Sequence, residues 1–396
     1  MLTESRSKMN ATEFCSRLRL DRMLGSPGWD AHIGASASRN PVAPSEVFAM
    51  QKTVAVTGAA GYIGSVLVAQ LLNVGYRVRA IDAFFFGHHS LLSLQDHPAM
   101  ETLRCDIRNY PPGVFDNCDI VVDLAALSND PSGDLDAELT RSINERGRIA
   151  SVMLAERAGV KRYLFASSCA VYGEHIGGDV NEDSTLRPLT LYAETCAKAE
   201  EVVLSRNRSD FATVSLRNGT VFGLSPRMRF DLVVNKMALD AYELGCISVV
   251  GNGAQWRPLI HVEDVARAFL LTLNAPDRSI AGQVFNIGRE NCQISEIAYQ
   301  VWLASEAAPA ISYLGVGEDR RNYRVSFAKA EKGLAFRAHR SIGCAVSDVQ
   351  KALRDGRAGN APCCHTVEWY RSLLATKGTG LGFGPRHVSG NMTAIR

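Results

Sequence analysis

The chain has 396 residues, 43 Lys and Arg against 41 Asp and Glu, and 46% hydrophobic residues. That hydrophobic share excludes a disordered chain, and the length can bury a large core, enough for two or three domain-sized units. A formal net charge of +2 provides no overall field for nucleic acid or an anionic membrane. Neither is therefore expected as a partner, and no apolar run is long enough to span a bilayer.

Residues 1–50 show no sustained period and carry Ser, Gly and Pro clusters. They read as a mobile N-terminal extension, with Met50 as a candidate true start. A targeting peptide is the alternative, but Glu4, Glu13, Asp21, Asp30 and Glu46 oppose an acid-poor transit pattern. The pattern then changes. Lys52 to Thr57 is a short β-branched apolar run and predicts a buried strand. Apolar spacing predicts a helix from Tyr62 to Asn73, a second strand spans Arg77 to Asp82, and a third ends near Cys105. Strands are predicted at 119–124 and 162–167 with one long helix, 138–158, between them. A helix at 192–206 and a strand at 211–216 follow. This alternation implies a doubly wound parallel sheet. After residue 220 it loosens into short strands at 247–250, 258–261 and 283–287, with helices at 232–245, 262–274 and 293–304. The expected organisation is a Rossmann-type domain over 51–220 with later segments returning to it. A smaller α/β substrate-binding portion spans 221–375, and a mobile tail spans 376–396.

Ten cysteines are scattered without a C-x-x-C pair. That usage fits a reducing compartment, the cytoplasm, rather than a disulfide framework. Cys363, Cys364 and His365 are adjacent, and adjacent side chains on a helix diverge, so no metal site is expected.

Thr57-Gly58-Ala59-Ala60-Gly61-Tyr62-Ile63-Gly64 links the first strand to the first helix with G-x-x-G-x-x-G spacing. Gly58 permits the tight turn, Gly61 a close approach to a pyrophosphate, and Gly64 close helix–strand packing. The N–H groups of the helix N-terminus, at Tyr62 and Ile63, then face phosphate charge. Asp82 ends the second strand, 18 residues after Gly64. A carboxylate there accepts both ribose hydroxyls of NAD and repels the 2′-phosphate of NADP, so NAD is the expected cofactor. Asp106, with Ile107 beside it, could accept the adenine amino group or be an ordinary strand-end Asp. Leu124, Ala125 and Ala126 are small enough to let a ribose lie against the sheet edge.

These residues, together with Ser167-Ser168-Cys169-Ala170-Val171-Tyr172-Gly173, Tyr192, the Arg257 to Val265 segment and Phe285-Asn286-Ile287-Gly288, resemble the extended short-chain dehydrogenase/reductase family. More narrowly, the chain resembles its nucleotide-sugar epimerase/dehydratase branch, over about residues 52–374. The resemblance implies that Ser168 hydrogen-bonds the reacting sugar hydroxyl and that Tyr192 is the acid/base, with Ser167 and Tyr192 also near the cofactor. It implies a Lys four residues after the Tyr, whose charge lowers the phenol pKa. Here that position is Cys196. Lys198 lies six residues from Tyr192, about 240° around an ideal helix, and cannot simply substitute.

Three readings stay open. Another basic group enters the site, a different or slower reaction involves Cys196, or catalysis is impaired and the fold binds NAD or sugar nucleotide. Cys169 and Ala170 occupy the places where the 4,6-dehydratases of the family carry Asp-Glu, which disfavours dehydration. An NAD-dependent nucleotide-sugar epimerase, oxidising a sugar carbon at C4 and returning the hydride, is expected. A 4-ketosugar-nucleotide reductase is the alternative.

For the diphosphate of a nucleotide-diphosphate sugar, Arg257 and Arg321 match family positions. Thr220 stands where many relatives have an Asn, and the Arg227-Met228-Arg229-Phe230 stretch adds local positive charge. Guanidinium suits phosphate oxygens bidentately. Ser128 and Asn129 should face the sugar, although Asn129 could equally cap the next helix. Asn144 matches a residue that supports the active site, and His261 reads as a packed histidine rather than a base. The resemblance also implies a homodimer through the helices at about 138–158 and 192–206.

Overall fold

The computed structural model describes residues 52–175, 177–315 and 321–376. The expected N-terminal extension and all but the first residue of the expected tail lie outside the described residues. The strands are β1 (Thr53–Thr57), β2 (Arg77–Asp82), β3 (Met100–Arg104), β4 (Ile120–Asp123), β5 (Arg162–Ser168), β6 (Ala212–Asn218), β7 (Thr220–Phe222), β8 (Cys246–Val249), β9 (Trp256–His261), β10 (Gln283–Ile287), β11 (Glu290–Gln293) and β12 (Ala310–Tyr313). The helices of ten or more residues are α1 (Tyr62–Asn73), α2 (Arg148–Arg157), α3 (Leu191–Ser205), α4 (Val233–Glu243), α5 (Val262–Asn274), α6 (Ile294–Ala304), α7 (Ile342–Arg354) and α8 (Thr366–Ala375).

Seven strands form one sheet in the order β10-β6-β5-β4-β1-β2-β3, and every pairing in it is parallel. This is the expected Rossmann-type, doubly wound architecture. Its central strands are apolar without alternation because both faces are covered. On one face α1 and α5 bury Leu67, Val68, Leu71 and Phe269 with the sheet. On the other, α2 and α3 bury Val152, Ala155, Ala199 and Val203 against Tyr163 and Phe165. Strand order reverses between β1 and β4, and such a reversal opens a crevice at the carboxyl ends of the strands. Above that crevice, β11-β9-β7 and β12-β8 form two small sheets, packed with α4, α6 and α7 around Met237, Ile247, Val301 and Val349. The chain returns to the main sheet through β10, parallel to β6.

Most predicted elements match within two residues. Three short strands, β7, β11 and β12, and the helix α7 were not predicted, and α8 was given no bounds. The long helix over 138–158 is corrected. After a four-residue helix, Ala137–Thr140, the chain makes a π-helical turn, Arg141–Gly147, before α2 begins. Two local demands coincide there. Asn144, fully buried, donates to Leu127 O (3.0 Å) and accepts from Leu127 N (2.8 Å). Gly147 packs so closely on Ile107 that a Cβ would lie 2.9 Å from its side chain.

A buried ion pair joins α3 to β6. Arg217 Nη2 donates to Glu200 Oε1 at 2.6 Å, and Ser215 Oγ donates to Glu200 Oε2 at 2.7 Å. Arg217 Nη1 also donates to the Tyr172 hydroxyl (2.8 Å), which in turn donates to Asn286 Oδ1 on β10 (2.7 Å). Removing one partner leaves an uncompensated buried charge. Glu200→Ala should therefore cost about 3–5 kcal/mol of unfolding free energy in a urea melt. A loss below about 1 kcal/mol would contradict this account.

Candidate active site at the switch point of the sheet

One continuous cavity of about 750 Å³ occupies the crevice. The glycine turn after β1 forms one end. Gly58 has φ +68°, a conformation that favours glycine, and a Cβ there would lie 2.9 Å from Ala125 N. A Cβ on Gly64 would lie 2.1 Å from Gly58 O. The turn is thus held tightly against β4, and no bulkier residue fits. α1 begins with no side-chain cap and no acid in its first turn, so its N-terminal N–H groups suit an anion. Tyr62 borders the cavity, but its hydroxyl is committed elsewhere: it donates to Gly223 O (2.5 Å) and accepts from Asn235 Nδ2 (3.0 Å), tying α1 to α4.

Asp82 Oδ2 accepts from Ala60 N (3.0 Å) and Oδ1 from Phe84 N (2.7 Å). Burial pushes its carboxyl above the usual range, while those two N–H groups and Arg227 pull it back. Asp106 is forked by Arg108, with Nη2 to Oδ2 at 2.6 Å. Leu124 N and Ala125 N both donate to Thr57 Oγ1, at 3.2 and 3.3 Å. Ile63, Ile107 and Ala126 complete this part of the wall.

Ser167 and Ser168 end β5 at the middle of the cavity. Ser168 Oγ accepts from Ala170 N (3.1 Å) and borders the same cavity as Tyr192. Tyr192 is the second residue of α3, whose first turn is capped by Thr190 Oγ1, an acceptor from Ala193 N at 3.2 Å. Removal from water pushes the Tyr192 phenol well above its usual range. Cys196 and Asp130 push the same way, while Ser168 and Arg148 pull it down. Every residue named above for cofactor, acid–base or substrate contact borders the cavity except Cys196. That thiol is buried. Burial pushes its pKa to about 11, while Arg148 and Tyr192 lower it. Lys198 is half exposed, with Nζ 3.9 Å from Glu145 Oε2.

At the other end, Arg257 Nη1 donates to Trp256 O (2.7 Å) and to Arg321 O, and Arg321 pairs with Asp130. Arg229 is forked onto Asp231 and donates to Ser128 Oγ (2.9 Å). Asn129 does cap the short helix Asp130–Gly133, with Oδ1 accepting from Ser132 N at 2.8 Å, while its Nδ2 donates to Asp231 (2.8 Å). Thr220, at the start of β7, lines the wall. His261 is buried and accepts from Glu263 N at 3.2 Å, and burial pulls its ring down to about 4. It sits as a packed histidine.

Arg227 was read from the sequence only as part of a positive stretch, and Tyr370 and Arg148 were not read as lining residues. Arg227, buried, lies 3.7 Å from the centroid of the Phe86 ring and donates to Thr366 Oγ1 (3.0 Å). Burial pulls its guanidinium down to about 10. Tyr370 packs on Phe86, and Trp369 Nε1 donates to Phe85 O at 2.7 Å, so α8 walls the glycine-turn end. Arg148 was missed although its position was visible. Residues 148, 151, 152 and 155 share the buried stripe of α2, and an arginine in such a stripe is unusual.

A model described as the NAD dependent epimerase/dehydratase family matches residues 54–288. The dTDP-glucose 4,6-dehydratase of Streptomyces griseus is 30% identical over 295 residues, 71% of this chain and 88% of that protein. MoeE5, solved in complex with UDP-glucuronic acid and NAD, is 29% identical with a TM-score of 0.68, over 77% of this chain and 99% of that one. The UDP-glucuronic acid 4-epimerase of Bacillus cereus, solved with UDP-glucuronic acid and NAD, is 25% identical with a TM-score of 0.69, over 76% and 99%. With the family match running through the sheet and the glycine turn that build the cavity, the chain belongs to the NAD dependent epimerase/dehydratase family of enzymes.

Proposed function

We propose that this enzyme is a nucleotide-sugar epimerase that oxidises its sugar transiently, at C4, and returns the hydride to the opposite face. The observation that carries this reading is that Ser168 and Tyr192 line one cavity while the two positions after Ser168 hold no acid pair. The next two residues are Cys169, whose Sγ donates to Arg217 O at 3.2 Å away from the chemistry, and Ala170. A dehydratase of this family needs an acid and a base at those places, whereas oxidation and return of one hydrogen does not.

The cradle fits NAD: a turn closed to any Cβ, an uncapped helix N-terminus for the diphosphate, and the Asp82 carboxyl for the ribose hydroxyls. When bound, NAD supplies the hydride acceptor and donor. Ser168 holds the reacting oxygen, and Tyr192 takes its proton and later gives it back. Arg257 and Arg321, at the far end of the cavity, suit the diphosphate of the sugar nucleotide. UDP-glucuronic acid, held by MoeE5 and by the Bacillus cereus enzyme, heads the set of sugars to try.

Incubation with UDP- and dTDP-sugars, followed by chromatography and NMR of the products, should give an equilibrium mixture of two epimers without net consumption of NADH. Stoichiometric consumption of NADH on a ketosugar would instead identify a reductase. Tyr192→Phe should lower kcat by about 10²–10⁴-fold while sugar-nucleotide affinity, read by calorimetry, holds within a few-fold. The homodimer expected from the sequence is tested on the same preparation by sedimentation velocity, where a mass near twice that of one chain supports it.

A further inference from the structure

We infer that Arg148 is the cation that assists Tyr192, doing from α2 the work of the lysine absent at position 196. The inference rests on the acid–base role proposed for Tyr192. Arg148 is 1% exposed and borders the cavity. Its Nε donates to Asp123 Oδ2 (3.1 Å), and its Nη2 to Asp123 O (3.1 Å) and Ala166 O (2.7 Å). Its guanidinium carbon lies 3.8 Å from the centroid of the Phe165 ring. Nη1 is left uncommitted among the described residues. The ion pair is directional. Asp123 turns its oxygens to Thr57 Oγ1 (2.7 Å) and the Tyr163 hydroxyl (2.9 Å) and lies outside the cavity wall, while the guanidinium is part of that wall. The cavity therefore meets the positive end of the pair.

The groups that act on Tyr192 are Cys196 from its own helix, Ser168 from β5, Asp130 from the short helix beside it, and Arg148 from α2. Arg148 lowers the pKa of both Tyr192 and Cys196, favouring their ionised forms. Lys198 offers no substitute, since it reaches outward to Glu145. A lysine at 196 would bring a second buried cation towards Arg148, which is unfavourable. A small neutral side chain at 196 and an arginine at 148 thus form a matched pair of choices.

The test replaces the ion pair as a unit, Arg148→Met with Asp123→Asn, so that neither partner remains as a lone buried charge. First, Cys196→Lys is introduced into the wild-type chain and into the double variant, and thermal midpoints are compared. The added lysine should lower the midpoint markedly in the wild type, or prevent folding there, and much less in the double variant. Equal losses in the two backgrounds would overturn the assignment, whatever the substrate. Second, kcat is measured against pH. Activity rises with pH as Tyr192 becomes a base, so loss of the cation should move the acidic limb upward by about one to three pH units. An unmoved limb would overturn the assignment. Coupled midpoints together with no turnover of any sugar would count against the proposed reaction and uphold the placement of the charge.

Discussion

The cavity is organised by one carboxylate that never touches it. Asp123 ends β4 with no exposed surface and is bonded to Thr57 of β1, Tyr163 of β5 and Arg148 of α2. A fully desolvated charge is tolerated only when its lone pairs are filled and its countercharge is fixed. That requirement locks the ends of three strands and one helix into a single arrangement. Thr57, held by Asp123, in turn receives the N–H groups of Leu124 and Ala125, which places β4's end against the glycine turn. The reacting end and the cofactor end of the cavity are thereby set by the same buried contact.

The two ends also differ electrically. Around the glycine turn, helix N–H groups and the buried Arg227 face the space, with Asp82 held between N–H donors. At the far end each arginine is already paired or bonded to a carbonyl: Arg321 with Asp130, Arg229 with Asp231, Arg257 with Trp256 O. On the proposed function, a ligand diphosphate would meet guanidinium groups there that are preset in direction rather than loose chains, which reduces the ordering it must impose.

Much of this was readable from residues alone. The glycine spacing, the β-branched runs and Asp82 each report a local backbone requirement, and local requirements survive in sequence. Asn129 was correctly seen as a possible cap because the rule involves neighbours three residues apart. What was lost depends on distance. β7, β11 and β12 have three or four residues each, too short for a period to show. The π turn at 141–147 follows from where Asn144 must reach, which a continuous helical pattern conceals. Arg148 was legible as a charge on an apolar stripe, yet its partner lies 25 residues back and its object is a third element. α7 is a plain omission. Ile342, Ala345, Val346, Val349 and Ala352 repeat at helical spacing and are all buried, and Ser341 caps them, accepting from Cys344 N at 3.2 Å.

The bond from Trp369 Nε1 to Phe85 O spans 284 residues of chain. At ribosomal speeds of 5–20 residues per second, roughly 15–60 s separate the emergence of its two halves. During that interval Thr366 and Tyr370, which wall the glycine-turn end of the cavity, have yet to be made. The glycine-turn end of the cavity is therefore walled late in synthesis, when α8 emerges.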